Sequence, residues 1–471
     1  MRKTLLLILL SLMFMGLLAA SQTRGEAASP SSIAIACPFD KLFIGQTAFC
    51  TVEVQPAGSD ETVTWTSSNP GCLSVDEKGV LTAKAYGTAV ITATASNGAK
   101  GKITLSVLKK PQSISLDQTY LELYEGQSAV LHCVFPRDTL AGVVFSSLDE
   151  GIVRVDAETG RITAASQGST AVVATASNEV TANCFITVLP KAAAAQSELE
   201  AVFMDVDSND AILLRCGEEY AFIDGGNHIY GEKATAYLKE LGVTHLKYYI
   251  GTHAHIDHIG AACVIFSNFD VDMVIVPHAG VIQGIKGSVW TAEERDAVSQ
   301  ATYCVISHGQ TFYLGSVPFR CIGPINVRNV DRRDDAENAN SMVLRSEVGE
   351  ISLLLTGDGT IAEFNDIAKV YPQELDVDIF KNTHHSGELT SGQIEMISPK
   401  VTIFSTSSLH LPRDGYLNLF TSLGSDVYMT PTRVNGTINL YTDGETITVT
   451  PQYEDNRANW YNEITGKPKG S

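Results

Sequence analysis

The sequence predicts a multidomain protein in which two all-β sandwiches precede a larger α/β domain. At 471 residues the chain is too long for one ordinary domain. Residues 33–189 contain an internal repeat of short segments that alternate apolar and polar residues, a pattern typical of β-sandwiches. From Leu199 onward, strand-like segments alternate with helix-like segments, and this order favours an α/β fold.

The composition is that of a folded, acidic protein. Hydrophobic residues make up 44% of the chain and charged residues 18%, which does not indicate disorder. The formal net charge of −20 disfavours nonspecific binding to DNA or to an anionic membrane surface. It does not exclude a local cationic site, because bound metal ions supply positive charge of their own.

Residues 1–28 predict a secretory signal peptide. Arg2 and Lys3 form a short basic region, an apolar run extends from Leu5 to Leu18, and small residues suited to cleavage follow. The run is short for a membrane span, and no later segment has the length and apolarity to cross a bilayer. We therefore expect a soluble protein, secreted or held at the bacterial cell surface, with no transmembrane span after signal cleavage.

Nine cysteines in an exported chain allow disulfides to form. None of them belongs to a Cys-x-x-Cys pair, so the sequence does not support a cysteine-rich zinc site. Cys133 and Cys184 fall near the start and the end of the second repeat, which suggests a disulfide between them.

The two predicted sandwiches span residues 33–108 and 113–189. Their sequences repeat at an offset of 81 residues, as Gly87–Asn97 and Gly168–Asn178 illustrate. Each copy places β-branched residues at every second position between turn-forming glycine, asparagine and aspartate, which predicts several short strands per copy.

Two segments of the first copy, Val63–Pro70 and Gly79–Ala83, resemble the group 2 bacterial immunoglobulin-like domain, and the resemblance extends over both copies. It implies a spacer or adhesion module of exported bacterial proteins. Neither copy carries a cluster of catalytic residue types, so a spacer is the leading interpretation. Binding of a cell-surface partner through these two domains is the alternative.

Residues 190–198 predict a linker, and residues 199–451 form the predicted α/β domain. A helix is expected from Glu232 to Leu241, since its apolar residues have helical spacing and Gly242 suits a helix end. Residues 452–471 are polar and predict a loosely ordered tail.

The segment from His253 to His258 places three histidines and one aspartate within six residues, directly after an apolar strand pattern that ends at Gly251. Residues i and i+2 of an extended segment point the same way, so His253 and His255 can share one metal ion. A following turn would direct Asp257 and His258 toward a second position. This set of donors suits zinc, manganese or iron. The alternative is a polar loop that is histidine-rich by chance.

Further candidate ligands follow two later strand patterns. Asp358 lies between glycines after a buried strand, where a carboxylate can approach and bridge two metals; the alternative is a turn aspartate. His384 and His385 follow another strand, and we expect one of them, His384, to point inward. His410 is a candidate ligand or substrate contact. We interpret the remaining histidines as structural or surface residues: His132, His228, His245, His278 and His308.

Residues 199–451 resemble the metallo-β-lactamase fold, in the branch found in the C-terminal part of the ComEC competence proteins. The residues that carry the resemblance are Met204–Val206, Asp210–Leu214, Ile223–Gly226, His253–Gly260, Asn338–Leu344, Leu355–Asp358, His384-His385, Gly436–Ile438 and Asp443-Gly444. The resemblance implies an αββα sandwich with a two-metal hydrolase site at one edge of the sheets.

The resemblance also implies roles for individual residues. His253 and His255 would hold the first metal, and Asp358 would bridge to the second. Asp257 and His258, with His384 or His385, would hold the second metal, and Asp224 would orient the loop from behind the ligands. The expected catalytic residues are Asp257, Asp358 and His384.

Two departures from the wider fold concern the site. Asn338 and Asn340 stand where many members place another histidine, as in the ComEC branch, so the first metal would be held weakly. The branch usually has His-His-Gly-Ser, whereas this chain has His384-His385-Ser386-Gly387, which leaves the choice between the two histidines open.

The leading functional hypothesis is an exported hydrolase that uses two divalent ions, zinc or manganese, and acts on a phosphodiester through a metal-bound hydroxide. Nucleic acid is the expected substrate, so the activity would be that of a phosphodiesterase or nuclease. One alternative is a phosphodiesterase of cell-wall polymers of the teichoic acid type. Another is a surface-binding protein with an inactive hydrolase-like domain.

Overall fold

The computed structural model describes residues 30–56, 62–190, 198–329, 334–387, 389–432 and 434–454. The predicted signal peptide lies outside these residues, as do most of the predicted linker and tail. The described residues form two compact units. The first comprises the chain up to Pro111 together with Pro136–Gly142, and the second comprises Gln112–Phe135 and the chain from Val143 onward.

Among its described residues, the first unit has strands as its regular secondary structure. Their bounds are β1 (Ser32–Ala36), β2 (Lys41–Phe43), β3 (Thr47–Phe49), β4 (Thr51–Gln55), β5 (Val63–Ser67), β6 (Leu73–Val75), β7 (Val80–Ala83), β8 (Gly87–Ala95) and β9 (Lys100–Leu108). They form sheets with the orders β2-β9-β8-β5 and β3-β7-β6 and the pair β1-β4. Alternate residues of β8 are buried, which encloses an apolar core around Leu42, Leu81 and Ile91.

The second unit begins with a repeat of this arrangement. Its strands are β10 (Ser115–Leu116), β11 (Tyr120–Tyr124), β12 (Ser128–Val130), β13 (Cys133–Val134), β14 (Val143–Ser147), β15 (Val153–Val155), β16 (Arg161–Ala164), β17 (Gly168–Ala176) and β18 (Thr181–Leu189). Their sheet orders, β11-β18-β17-β14, β12-β16-β15 and β10-β13, match those of the first unit strand for strand. The repeated sequence therefore folds into a repeated topology.

The α/β part of the second unit contains two sheets. The first half comprises β19 (Leu199–Phe203), β20 (Ala211–Cys216), β21 (Glu219–Asp224), a 3₁₀ helix (His228–Tyr230), α1 (Gly231–Glu240), β22 (His245–Ile250), α2 (Ile256–Ile259), α3 (Ala262–Phe266), β23 (Asp270–Val276), α4 (Ala279–Gly287), α5 (Ala292–Gln300) and β24 (Tyr303–Val305). The second half comprises β25 (Thr311–Leu314), β26 (Val317–Gly323), α6 (Asp334–Asn338), β27 (Val343–Val348), β28 (Ile351–Leu355), α7 (Ile361–Val370), a 3₁₀ helix (Pro372–Glu374), β29 (Ile379–Lys381), α8 (Ser391–Ile397), β30 (Val401–Phe404), α9 (Asp414–Ser422), β31 (Asp426–Met429), β32 (Ile438–Thr442) and β33 (Ile447–Pro451).

Strands β19–β24, β32 and β33 form an eight-stranded sheet, and β25–β31 form a seven-stranded sheet. Successive side chains of a strand point to opposite faces, so each sheet buries two apolar surfaces. Ile212 and Leu214 join a cluster shared with the seven-stranded sheet, whereas Leu213 joins a cluster with α1–α5. The other face of the seven-stranded sheet packs against α7–α9.

The second β-sandwich shares its core with the α/β part, inside the second unit. Ala171 and Phe185 belong to the same buried cluster as residues of both α/β sheets. The Tyr248 hydroxyl lies 3.0 Å from the Ser169 carbonyl oxygen, and the Tyr313 N–H donates to Ser169 Oγ at 2.9 Å. The second sandwich is thus continuous with the α/β part in its packing and hydrogen bonding.

The disulfide in the structure differs from the one that the sequence suggested. Cys37 and Cys50 form a disulfide in the first unit, whereas Cys133 and Cys184 are free thiols. Cys133 lies on β13, which pairs with β10, and Cys184 lies on β18 in a different sheet. The expectation of a Cys133–Cys184 disulfide is therefore wrong. Among the described residues, no helix has both the length and the apolarity to cross a membrane.

Candidate metal centre

The histidine segment follows the carboxyl end of β22, an interior strand of the eight-stranded sheet. His253 is buried, and its Nε2 lies 3.1 Å from Nδ1 of the half-buried His255. Two nitrogens bound to one tetrahedral zinc at about 2.0–2.1 Å each would be about 3.3 Å apart. The two atoms therefore have the spacing that shared coordination requires.

A turn then begins α2, whose N-terminal cap residue is His255. This turn brings Asp257 and His258 beside two residues from the turns that follow β28 and β29, Asp358 and His385. Each of the four offers a ligand atom within 4.8 Å of the others. We call this group the Asp358 cluster.

Asp358 lies between the two sets of histidines. Its Oδ2 is 4.0 Å from His253 Nε2, 3.2 Å from His258 Nε2 and 3.6 Å from His385 Nε2. The side chain is 2% exposed, and its backbone N–H donates to Ser341 Oγ at 3.1 Å. One carboxylate oxygen thus contacts both groups of candidate ligands, the geometry expected of a bridging residue.

The close approach of Asp358 depends on Gly357. This glycine has a φ of +50°, and a Cβ there would lie 2.9 Å from the Thr252 side chain. A larger residue would push the Asp358 loop away from the segment that carries the histidines.

The structure places His385 at the cluster, in contrast to the sequence-based preference for His384. His385 Nε2 lies 3.7 Å from Asp257 Oδ2, and its Nδ1 donates to the Ser405 carbonyl at 2.8 Å, which fixes the ring. Both histidines have positive φ values, 46° and 50°, and their rings diverge with centroids 6.2 Å apart. His384 faces Asn338 instead, with its Nε2 3.4 Å from Nδ2 of that residue.

Asp224 lies behind the segment and holds it through hydrogen bonds. It accepts from the N–H and hydroxyl of Thr252 at 2.9 and 2.8 Å and from His258 Nδ1 at 2.7 Å. These bonds leave Nε2 of His258 directed at Asp358. A carboxylate partner of this kind fixes both the tautomer and the orientation of a metal-ligating histidine.

The remaining predicted residues have distinct surroundings. Asn340 accepts from the Arg328 N–H at 2.6 Å and donates to its carbonyl at 2.9 Å, so it holds a loop rather than facing the cluster. Asn338 is buried, and its Oδ1 makes no hydrogen bond within the described part of the chain. His410 is exposed, with Nδ1 2.9 Å from Ser407 Oγ.

Three buried charged residues near the cluster were missed by the sequence reasoning. Lys381 is fully buried, forms an ion pair with Asp210, and donates to the Gly357 carbonyl at 3.0 Å. Glu337 accepts from the Ala254 N–H at 2.7 Å and lies 3.4 Å from His278 Nε2. The sequence signal for Lys381 was a lysine at the end of an apolar strand, three residues before the histidine pair.

The charges of the cluster are strongly coupled. Burial opposes ionisation of Asp358, but the neighbouring His258 and His385 hold its pKa well below the ordinary value. Burial likewise disfavours the imidazolium of His258, yet the carboxylates of Asp358 and Asp224 raise its pKa well above the ordinary value. Burial, with His258 beside it, lowers the pKa of His253.

The residues present fit divalent metal ions. His258 Nε2, His385 Nε2 and Asp358 Oδ1 are buried and, within the described residues, form no hydrogen bond. Buried polar atoms without hydrogen bonds are costly, and a bound ion would satisfy three such atoms that belong to one cluster. Imidazole nitrogen and carboxylate oxygen are donors that suit zinc and manganese.

Comparison with known proteins supports part of this organisation. The family model of the bacterial Ig-like domain (group 2) matches residues 41–105, which confirms the expectation for the first sandwich. The chain is 27% identical over 233 residues to ComE operon protein 3 of Bacillus subtilis, covering 48% of this chain and 28% of that protein. It is 32% identical over 156 residues to an uncharacterized protein of Clostridium acetobutylicum, covering 32% of this chain and 16% of the relative. The matches thus span less than a third of each relative.

Among solved structures, a metallo-β-lactamase from Cronobacter sakazakii is similar with a TM-score of 0.25 and 16% identity. The match covers 36% of this chain and 66% of that protein.

Proposed function

We propose that this protein is an exported hydrolase of phosphodiesters that uses two divalent metal ions, with an αββα metallo-β-lactamase-like domain of the ComEC branch. The observation that carries the proposal is the position of Asp358 Oδ2, within 4.0 Å of His253, His258 and His385. The similarity to ComE operon protein 3 supports the choice of branch.

Two groups of residues would hold the ions. His253 and His255 would offer nitrogens to the first, and the nitrogens of His258 and His385 with a carboxylate oxygen of Asp257 would serve the second, with Asp358 between them. Bound divalent ions supply Lewis acidity toward a phosphodiester and activate water as a nucleophile at neutral pH. Asp224 holds the imidazole of His258 in one orientation, and Lys381 ties the Gly357 carbonyl to Asp210.

The experiment is hydrolysis of bis-p-nitrophenyl phosphate by the purified protein in the presence of manganese or zinc. We expect turnover that is lost in Asp358→Asn and His255→Ala. His245→Ala is the matched control, because His245 lies on β22 but is exposed and pairs with Asp272 at the surface. Equal rates from the protein and its Asp358→Asn variant would refute the proposal.

Two parallel assays would identify the substrate, one with single-stranded DNA and one with purified wall polymer of the teichoic acid type. Nucleic acid is the first candidate substrate, because the matched relative is a ComE operon protein. The bacterial Ig-like domain over residues 41–105 is the observation that favours the wall polymer as the second candidate. Hydrolysis of the wall polymer alone would reverse this order.

A further inference from the structure

A second group of metal-binding side chains lies on the helical side of the eight-stranded sheet. His228, Cys263 and Glu294 each place a ligand atom within 4.8 Å of the other two. They come from three separate elements, the 3₁₀ helix before α1, α3 and α5. None of them belongs to the Asp358 cluster, and the proposed hydrolase function does not use them.

Only one oxygen of the Glu294 carboxylate takes part in capping a helix. Its Oε2 accepts from the N–H groups of Trp290 and Thr291 at 2.6 and 2.9 Å, which completes the cap of α5. Its Oε1 points the other way and lies 2.9 Å from His228 Nε2. The cap therefore leaves one carboxylate oxygen directed at the histidine.

The side chains of His228 and Cys263 are also held near this carboxylate oxygen. The His228 ring is stacked on Trp290, with centroids 3.6 Å apart and planes 14° apart, so its Nε2 faces Glu294. Cys263 is fully buried, and its Sγ lies 3.5 Å from the Ser288 carbonyl oxygen and 3.7 Å from the Gly260 carbonyl oxygen. A thiol is a weak hydrogen-bond donor, so little would be lost when it binds an ion instead.

We propose that His228, Cys263 and Glu294 form a zinc site distinct from the Asp358 cluster. Nitrogen, thiolate and carboxylate are all zinc ligands, and bond lengths of about 2.0–2.3 Å place the donors of one tetrahedral ion about 3.3–3.6 Å apart. The donor atoms lie within 4.8 Å of one another, and His228 Nε2 is 2.9 Å from Glu294 Oε1. To reach that geometry, the histidine and the carboxylate would separate by about 0.4 Å or more, and the thiol would approach by about 1.5 Å at most.

The fourth position of such an ion is open. His228 and Glu294 line a cavity of about 910 Å³ together with the exposed side chains of Ile229 and Trp290. A zinc ion with three protein ligands and access to a cavity binds water or a small ligand atom in the fourth position. The site therefore has the form of an accessible zinc centre rather than a closed structural one.

Cobalt is the probe that separates the two centres. A cobalt ion bound by a thiolate gives a near-ultraviolet charge-transfer band, and the candidate ligands at the Asp358 cluster include no cysteine. We expect the full-length protein titrated with cobalt to develop this band with the final intensity of one thiolate-bound cobalt per chain, because cobalt at the Asp358 cluster does not produce it. The band should disappear in Cys263→Ser and persist in Asp358→Asn.

Cys304→Ser is the matched control, since Cys304 is also a buried free thiol, on β24. Its band should equal that of the unmodified protein. His228→Gln provides a second test that leaves the thiol in place, and it should weaken cobalt binding at this site at least tenfold. Absence of the band in the folded, cobalt-loaded protein, or its survival in Cys263→Ser, would overturn the proposal. Neither outcome depends on hydrolase activity.

Discussion

Replacement of Ser169 by alanine tests whether the second sandwich and the α/β part unfold together. Ser169 is 1% exposed, and its Oγ accepts from the Tyr313 N–H at 2.9 Å and lies 3.1 Å from Thr187 Oγ1. Alanine leaves a buried N–H without its acceptor, which costs about 1–3 kcal/mol. Since the Tyr248 hydroxyl contacts the Ser169 carbonyl, we expect the loss to destabilise β22, the strand that precedes the histidine segment.

The free energy of unfolding is measured in a urea series, with hydrogen exchange of the β22 peptide as the local probe. Thr88→Ala is the matched control: Thr88 occupies the corresponding position 81 residues earlier, but it is exposed. Its effect should stay within about 0.5 kcal/mol. If Ser169→Ala changed stability no more than Thr88→Ala, or left β22 exchange unchanged, the two parts would be energetically independent and the reasoning would fail.

Three further predictions concern buried charges. His385→Ala should weaken binding of the second metal at least tenfold more than His384→Ala does, as measured by titration calorimetry. Metal uptake should release protons and tighten as pH rises, because the raised pKa of His258 keeps that ring protonated in the metal-free protein; calorimetry in two buffers of different ionisation enthalpy measures the release. Burial raises the pKa of Glu363 well above its ordinary value, so its folded form keeps a proton that the unfolded chain loses above about pH 4.3, and stability falls as pH rises. Glu363→Gln should make that fall shallower in urea unfolding between pH 5 and 8, whereas the exposed control Glu347→Gln should leave its slope unchanged.

The strand pattern of the repeats was predictable because it depends on local alternation, which both copies share. The packing of the second copy does not follow from that alternation, although three positions of β18 signal it. Lys102, Thr104 and Ser106 of β9 correspond, 81 residues later, to Asn183, Phe185 and Thr187. A lysine and a threonine that suit water have become an asparagine that donates to the Tyr303 carbonyl at 2.9 Å and a phenylalanine buried in the shared core. Comparing the outer faces of the copies, rather than their shared pattern, would have indicated that the second sandwich is covered.

The candidate site, like the repeats, has one part that local geometry determines and one part that depends on contacts with distant segments. His253, His255, Asp257 and His258 could be placed from sequence because their relative positions follow from one strand end and one helical turn. The choice between His384 and His385 could not, because both adopt left-handed backbone conformations in which the alternation of an extended strand no longer holds. The ring at the cluster is the one whose Nδ1 reaches the Ser405 carbonyl after β30, a contact between segments 20 residues apart. Local geometry thus defines half of the centre, and a hydrogen bond from a neighbouring strand end selects the last ligand.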